Sequence, residues 1–208
     1  MVKNILWDVD GTLFDTYPAM AKSFRAALND LGADCDTGRI EALARESLSR
    51  CSAALASEFD IPEEALGRAF AAHYELVRYE DQPPFRSVRE ICGMICARGG
   101  KNVIVTHRSR EGTAGLLAAH RMAELFSGCI AREDGHPRKP DPASFLAALR
   151  LFELAPEETL AVGDREIDVE AGRAAGLAAC RFAPGGESSA ADLVIRGFDE
   201  LLRFVSSR

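Results

Sequence analysis

Short apolar runs that stop abruptly at a polar residue set the strongest limit on how this chain folds. Asn4–Trp7 ends at Asp8, Asn102–Val105 ends at Thr106, and residues 159–162 end at Gly163-Asp164. Residues 129–130, Ala178–Phe182 and residues 192–195 are further strand-like runs. From Phe85 onward they alternate with segments of helical period: Val88–Ala97, then residues 111–120, 142–152, 167–175 and 198–205. Runs this short and this continuously apolar are strands buried on both faces. Their alternation with helices predicts an α/β fold, a Rossmann-like parallel sheet with helices on both faces.

The stretch between the first two strands breaks that rhythm. Met20, Phe24, Leu28 and Leu31 recur at helical spacing, and Gly32 supplies a stop. Helical patterns continue through residues 39–58 and 63–79, the second opened by Pro62 at a first-turn position. Pro83-Pro84 then ends the helical block. The expected organisation is an α/β domain from residues 1–15 and 83–208, with residues 16–82 inserted as an all-α domain. A length of 208 residues, awkward for one or two ordinary domains, is thereby explained.

Lys plus Arg number 25 against 32 Asp plus Glu, a formal charge of −7. With no basic block, that balance argues against nucleic acid or an anionic membrane surface as a partner. The N-terminal apolar run is too short for a signal peptide, and no segment approaches the roughly 20 apolar residues that span a bilayer. A cytoplasmic protein is expected. The six cysteines include no Cys-x-x-Cys pair, so reduced thiols are expected. Cys92 and Cys96, one helical turn apart, read as small buried apolar residues rather than half a metal site.

Ligands of an open parallel sheet bind at the carboxyl ends of its strands. Those ends carry Asp8-Val-Asp10-Gly11-Thr-Leu, Thr106-His107 and Gly163-Asp164-Arg-Glu-Ile-Asp168, while Lys139 lies just before a helix. Clustered carboxylates repel unless a hard cation sits among them, and Mg²⁺ suits a few carboxylates completed by water and phosphate oxygen. Asp8 is the candidate nucleophile, able to form an acyl-phosphate. Asp10 would protonate the leaving oxygen and then activate water. Thr106 and backbone N–H groups would hold the phosphoryl oxygens, and Lys139 would offset the crowded negative charge. Gly11 allows a sharp turn and close backbone access to an anion. His107 stands on the same rim as a phosphate-side candidate, and a hydrogen bond tying down its loop is its plainer role.

Taken in order, Asp8-x-Asp10-Gly-Thr-Leu, strand-end Thr106, Lys139-Pro140 and Gly-Asp164-x-x-x-Asp168 resemble the four motifs of the haloacid dehalogenase (HAD) superfamily. The resemblance covers essentially the whole chain. Its helical insertion is similar to the α-helical C1 cap of the phosphoglycolate phosphatase-like and β-phosphoglucomutase-like members. The resemblance implies a Mg²⁺-dependent phosphatase that hydrolyses a small phosphorylated metabolite through an aspartyl-phosphate, beneath a cap domain that closes over the site. It also implies a metal held by Asp8, the Asp10 backbone carbonyl and Asp164, with Asp168 beside it. His107 departs from the Asn or Ser common after the Thr, and Trp7 is bulkier than the usual residue before the first Asp. An acid at position 10 favours phosphate esters over carbon–halogen or carbon–phosphorus bonds.

A sugar-phosphate phosphomutase would use the same Asp8 and Asp10. A non-catalytic binding protein on this fold has no need of the intact carboxylates and Lys139. A glycosidase-like carboxylate pair has no place for Lys139. A calcium loop fails because its sixth position is Leu13 and its twelfth Ala19. Gly99-Gly100-Lys101 leads into a strand rather than out of one, which makes it a turn. His73-x-Glu75 is half of a deaminase signature without its cysteines. Lys22, Arg39, Arg45 and Arg50 in the helical block read as solvated cations. A monomer or homodimer is expected.

Overall fold

The computed structural model describes residues 2–207. It contains β1 (Asn4–Trp7), α1 (Tyr17–Asp30), α2 (Thr37–Glu46), α3 (Leu48–Glu58) and α4 (Glu63–Glu75). These are followed by α5 (Val88–Ala97), β2 (Asn102–Val105), α6 (Arg110–Ala119), β3 (Gly128–Ile130), α7 (Ala143–Leu151) and β4 (Thr159–Gly163). The chain ends with α8 (Glu166–Ala174), β5 (Ala178–Phe182), β6 (Leu193–Ile195) and α9 (Phe198–Ser206). It divides into two compact units, one of residues up to Phe14 with those from Pro84, the other Asp15–Pro83.

The first unit is built on a six-stranded sheet in the order β3-β2-β1-β4-β5-β6, with every neighbouring pair parallel. β1, whose four residues are all buried, lies between β2 and β4. From β1 the chain runs outward through β2 and β3, then crosses back to β4 on the other side of β1 and continues the opposite way, so the carboxyl end of β1 is the switch point where such sheets bind ligands. On one face Leu6, Val103, Val105 and Ala161 pack with Phe145 and Leu149 of α7 and Ala171 of α8. Trp7 points to the other face, its ring 6.2 Å from that of Phe198 in α9. Its indole N–H donates to Asn102 Oδ1 at 3.0 Å, and Asn102 donates onward to the Cys92 carbonyl of α5 at 2.9 Å. The bulky residue before Asp8 is thus fully buried with its one polar atom satisfied.

In the second unit α1 packs on α2 and α4, and α3 packs on the same two helices. Phe24, Leu28, Ile40, Cys51, Leu55 and Leu66 form its buried core, and the Phe24 and Phe70 rings stack at 3.9 Å. The helical period read over residues 39–58 is two helices, not one. Ser47 is extended at φ −172°, and its hydroxyl caps α3 by accepting from Arg50 N at 3.0 Å. The period survives the break because both helices turn their apolar residues to one core. Pro62 stands at the N-cap of α4 rather than in its first turn, and α4 stops at Glu75, ahead of a 3₁₀ turn at Tyr79–Asp81. Cys92 is buried as expected, but Cys96 is exposed, its thiol donating to the Leu125 carbonyl at 3.4 Å. No helix among the described residues is long and apolar enough to cross a membrane.

Candidate active site

Strand register brings the motif residues to one rim. Trp7 pairs with Ile104 of β2 and Val162 of β4, so Asp8, Thr106 and Asp164 emerge from adjacent strands. Asp8 N donates to the Val162 carbonyl at 2.9 Å, and Thr106 N to the Ile130 carbonyl at 3.0 Å. After Asp8 the chain winds tightly. The N–H groups of Leu13 and Phe14 both donate to the Val9 carbonyl, and Gly11 takes a φ of 78° that favours glycine.

Lys139 is the hub of the site. Its ammonium donates to Asp8 Oδ1 at 2.7 Å, to Asp168 Oδ1 at 2.8 Å and to the Val105 carbonyl at 2.8 Å. Those three bonds use every donor it has. Asp8, Lys139 and Asp168 are 4%, 5% and 1% exposed. His107 Nε2 accepts from the Lys139 backbone N–H at 3.0 Å, so the imidazole holds the residue whose ammonium holds Asp8.

The carboxylates differ in how they are held. Asp168 Oδ1 takes Lys139, and its Oδ2 accepts from the Arg165 N–H at 3.1 Å in a capping interaction at the start of α8. Asp8 has only Lys139, on Oδ1; no hydrogen bond among the described residues reaches Oδ2. Asp164 is half-buried, and its Oδ1 accepts from the Thr12 hydroxyl at 3.3 Å. Asp10 pairs with Arg108, whose Nη1 lies 2.6 Å from Asp10 Oδ1.

Burial raises the Asp8 carboxyl from 3.8 to about 6, because the nearby Lys139 charge only partly offsets desolvation. Burial also opposes ionisation of Asp168, but Lys139 and Arg165 outweigh it and hold that carboxyl low. For Lys139, burial is overcome by Asp168 and Asp8, which keep the ammonium charged. Burial, then the charges of Lys139, Arg138 and Arg165, drop His107 to about 4. A neutral ring accepting at Nε2 carries its proton on Nδ1.

Oxygens of Asp8, Asp164 and Asp168 lie within 4.8 Å of one another. An all-carboxylate set fits a hard divalent cation, and a buried Asp8 whose charge is incompletely offset fits it further. Asp8 and Asp164 are better disposed than Asp168, whose two oxygens are already engaged.

Several participants were not singled out from the sequence. Arg108 follows Thr106 by two residues, so its place on the rim was the available signal. Thr12 lies inside the Asp8–Leu13 motif. Gly163 is there for space: a Cβ on it would come 2.3 Å from the Asp168 Cβ. Of the helical-unit cations, Arg39 pairs with Glu58, Arg45 with Glu41 and Arg50 with Glu46.

Known proteins agree with this architecture. A phosphoglycolate phosphatase of Nitrosospira multiformis is 30% identical over 182 residues, covering 84% of this chain and 80% of its own. One from Escherichia coli K12 is 28% identical, covering 97% of this chain and 91% of its own. The crystal structure of a predicted phosphoglycolate phosphatase from Haemophilus somnus superposes with a TM-score of 0.86 at 22% identity, covering 98% of each chain. The family model described as haloacid dehalogenase-like hydrolase matches residues 5–182, from the strand that presents Asp8 to the end of β5. The chain belongs to the haloacid dehalogenase-like hydrolases.

Proposed function

We propose that this enzyme is a Mg²⁺-dependent phosphatase acting on a small phosphomonoester, with phosphoglycolate, named for its relatives, as the first candidate. One observation carries the reading: a buried carboxylate, Asp8, has one oxygen fixed by Lys139 and the other left for an incoming group.

Asp8 Oδ2 attacks phosphorus, and the bond to the leaving oxygen breaks as the Asp8–phosphoryl bond forms. Lys139 keeps Asp8 oriented and ionised and remains with Asp8 and Asp168 throughout. Asp10 gives its proton to the leaving oxygen, then removes one from the water that hydrolyses the aspartyl-phosphate. Arg108 aims the Asp10 carboxyl. The Thr106 hydroxyl oxygen accepts from the Arg108 N–H at 3.1 Å, and its own proton serves a phosphoryl oxygen. Mg²⁺, when held by Asp8, Asp164 and the Asp10 carbonyl, would neutralise charge on the phosphoryl oxygens. Asp168 positions Lys139.

A panel of phosphorylated metabolites assayed for phosphate release, with Mg²⁺ and with chelator, tests the reading. Mg²⁺-dependent release that Asp8→Asn abolishes is the expected outcome. Release unaffected by that substitution would refute the aspartyl mechanism. Conversion of a sugar phosphate to its isomer without free phosphate would establish a mutase instead.

A further inference from the structure

A cavity of about 70 Å³ opens beside Thr106 and His107, within the α/β unit. Its polar lining is Thr106, His107, Arg132, His136, Arg138 and Ser144. Ser144, in the first turn of α7, is 7% exposed, and its buried Oγ has no hydrogen-bond partner. A buried hydroxyl without a partner is costly, and a bound acceptor would satisfy it. The helix start beneath it contributes partial positive charge. Arg132, Arg138 and the two imidazoles add donors.

The acids of the same loop are committed elsewhere. Both oxygens of Asp134 lie 2.7 Å from Arg110 Nη2, Glu133 Oε2 accepts from the Arg110 N–H at 2.9 Å, and Asp141 Oδ1 caps the Ala143 N–H at 2.9 Å. Two of these carboxylates also feel the lining: Glu133 Oε1 lies 3.4 Å from Arg132, and Asp134 interacts with His136 at longer range. The lining is therefore donor-rich, with the Arg138 guanidinium as its main positive charge. The cavity exceeds the roughly 10–15 Å³ that one water needs, and it is large enough for a phosphate or carboxylate group.

We propose that this cavity is a binding site for a small oxyanion, separate from the transfer site and, among the described residues that line it, sharing Thr106 and His107 with that site. The inference goes beyond the proposed phosphatase reaction, because Lys139, Asp8 and Asp164 take no part in it. The oxyanion has two possible sources, free inorganic phosphate or a second acidic group on the substrate, and both present the same oxygens to Ser144 and Arg138.

Inorganic phosphate titrated into the metal-free, full-length protein, followed by NMR of the His136 ring and the Ser144 amide, tests the site directly. Saturable shifts of both signals are expected. Ser144→Ala and Arg138→Gln should each weaken that response about tenfold, the effect of losing one good contact. Arg138 is exposed, so its substitution leaves folding intact. A parallel assay compares KM for a monoester carrying a carboxylate with KM for a neutral aryl phosphate. If the KM ratio rises about tenfold in Arg138→Gln, the substrate supplies the anion. If only the phosphate titration weakens, free phosphate does. If neither the His136 and Ser144 signals nor the KM ratio responds, the cavity is a water site and the proposal is overturned.

Discussion

Replacing Asp8 by Asn should make the metal-free protein more stable while removing its chemistry. The Asp8 carboxyl, raised by burial from 3.8 to about 6, is ionised at neutral pH against the preference of its surroundings. A displacement of that size corresponds to about 3 kcal/mol of destabilisation at pH 7. Asn keeps the shape and a carbonyl for Lys139 but leaves its amide hydrogens without the water they had, so a net gain of about 2 kcal/mol is expected. For a chain of this length that raises Tm by roughly 4–8 °C. The sign follows from linkage. A carboxyl whose folded pKa is raised gives stability that is complete below 3.8 and lost as pH rises through about 6. The two proteins should therefore melt together near pH 4, separate between pH 4 and 6, and keep a constant gap above pH 7. Denaturant unfolding in chelator across that range measures it, and added Mg²⁺ should narrow the gap by stabilising only the wild type. An Asp8→Asn protein less stable than wild type at pH 7 in chelator, or a gap independent of pH, would refute the reasoning.

Lys139→Met leaves Asp8 and Asp168 buried without their shared cation and should cost about 3–5 kcal/mol in denaturant unfolding. Adding Asp8→Asn to that variant should recover part of the loss, a coupling that a double-mutant cycle reads directly. Gly163→Ala pushes a methyl into Asp168 and should cost about 1–3 kcal/mol, with a fall in kcat that exceeds any change in KM. His107→Gln should flatten the acid limb of the stability profile. The His107 pKa is depressed to about 4, so wild-type stability falls as pH drops from 6.5 towards 4, by about 1 kcal/mol after discounting for its partial exposure. Arg108→Gln should lower kcat with little effect on KM if its contact is made through Asp10, and Arg108→Lys should restore part of the rate.

The strand ends were legible because, beyond its first residue, each of these parallel strands buried on both faces is apolar up to its carboxyl end. The first acid or hydroxyl after Trp7, Val105 or Val162 therefore marks its carboxyl edge. The separation of β1 from the next strand by a helical stretch was equally legible, but its place between β2 and β4 was not, because strand order depends on pairing between distant segments. What pattern could not supply was partnership across the chain. Nothing around Arg108 says that its guanidinium turns to Asp10, 98 residues away. Nor does Gly163 declare that its missing side chain makes room for Asp168. Ser47 shows the opposite limit. Its extended backbone interrupts a helical period that continues across it, because packing against one core preserves the period while local capping breaks the helix.

The pair Asp8 and Asp168 shows why a motif of like residues can conceal unlike roles. Both are buried, both touch the same ammonium, and desolvation is the largest influence on each. They part because Asp168 gains a second donor, the Arg165 N–H at the start of α8, together with that residue's charge, whereas Asp8 Oδ2 faces the rim without one. Their environments push the two carboxyls in opposite directions, the arrangement that separates a fixed anion from a reactive one. Asp168 is then most useful where it is, holding Lys139 in place, and less suited to a cation that would have to displace both of its partners. Asp8, the less satisfied of the two, is the group whose free oxygen gains most from a metal or a phosphoryl group. The residual cost of keeping it ionised is the same free energy that Asp8→Asn should return to the fold.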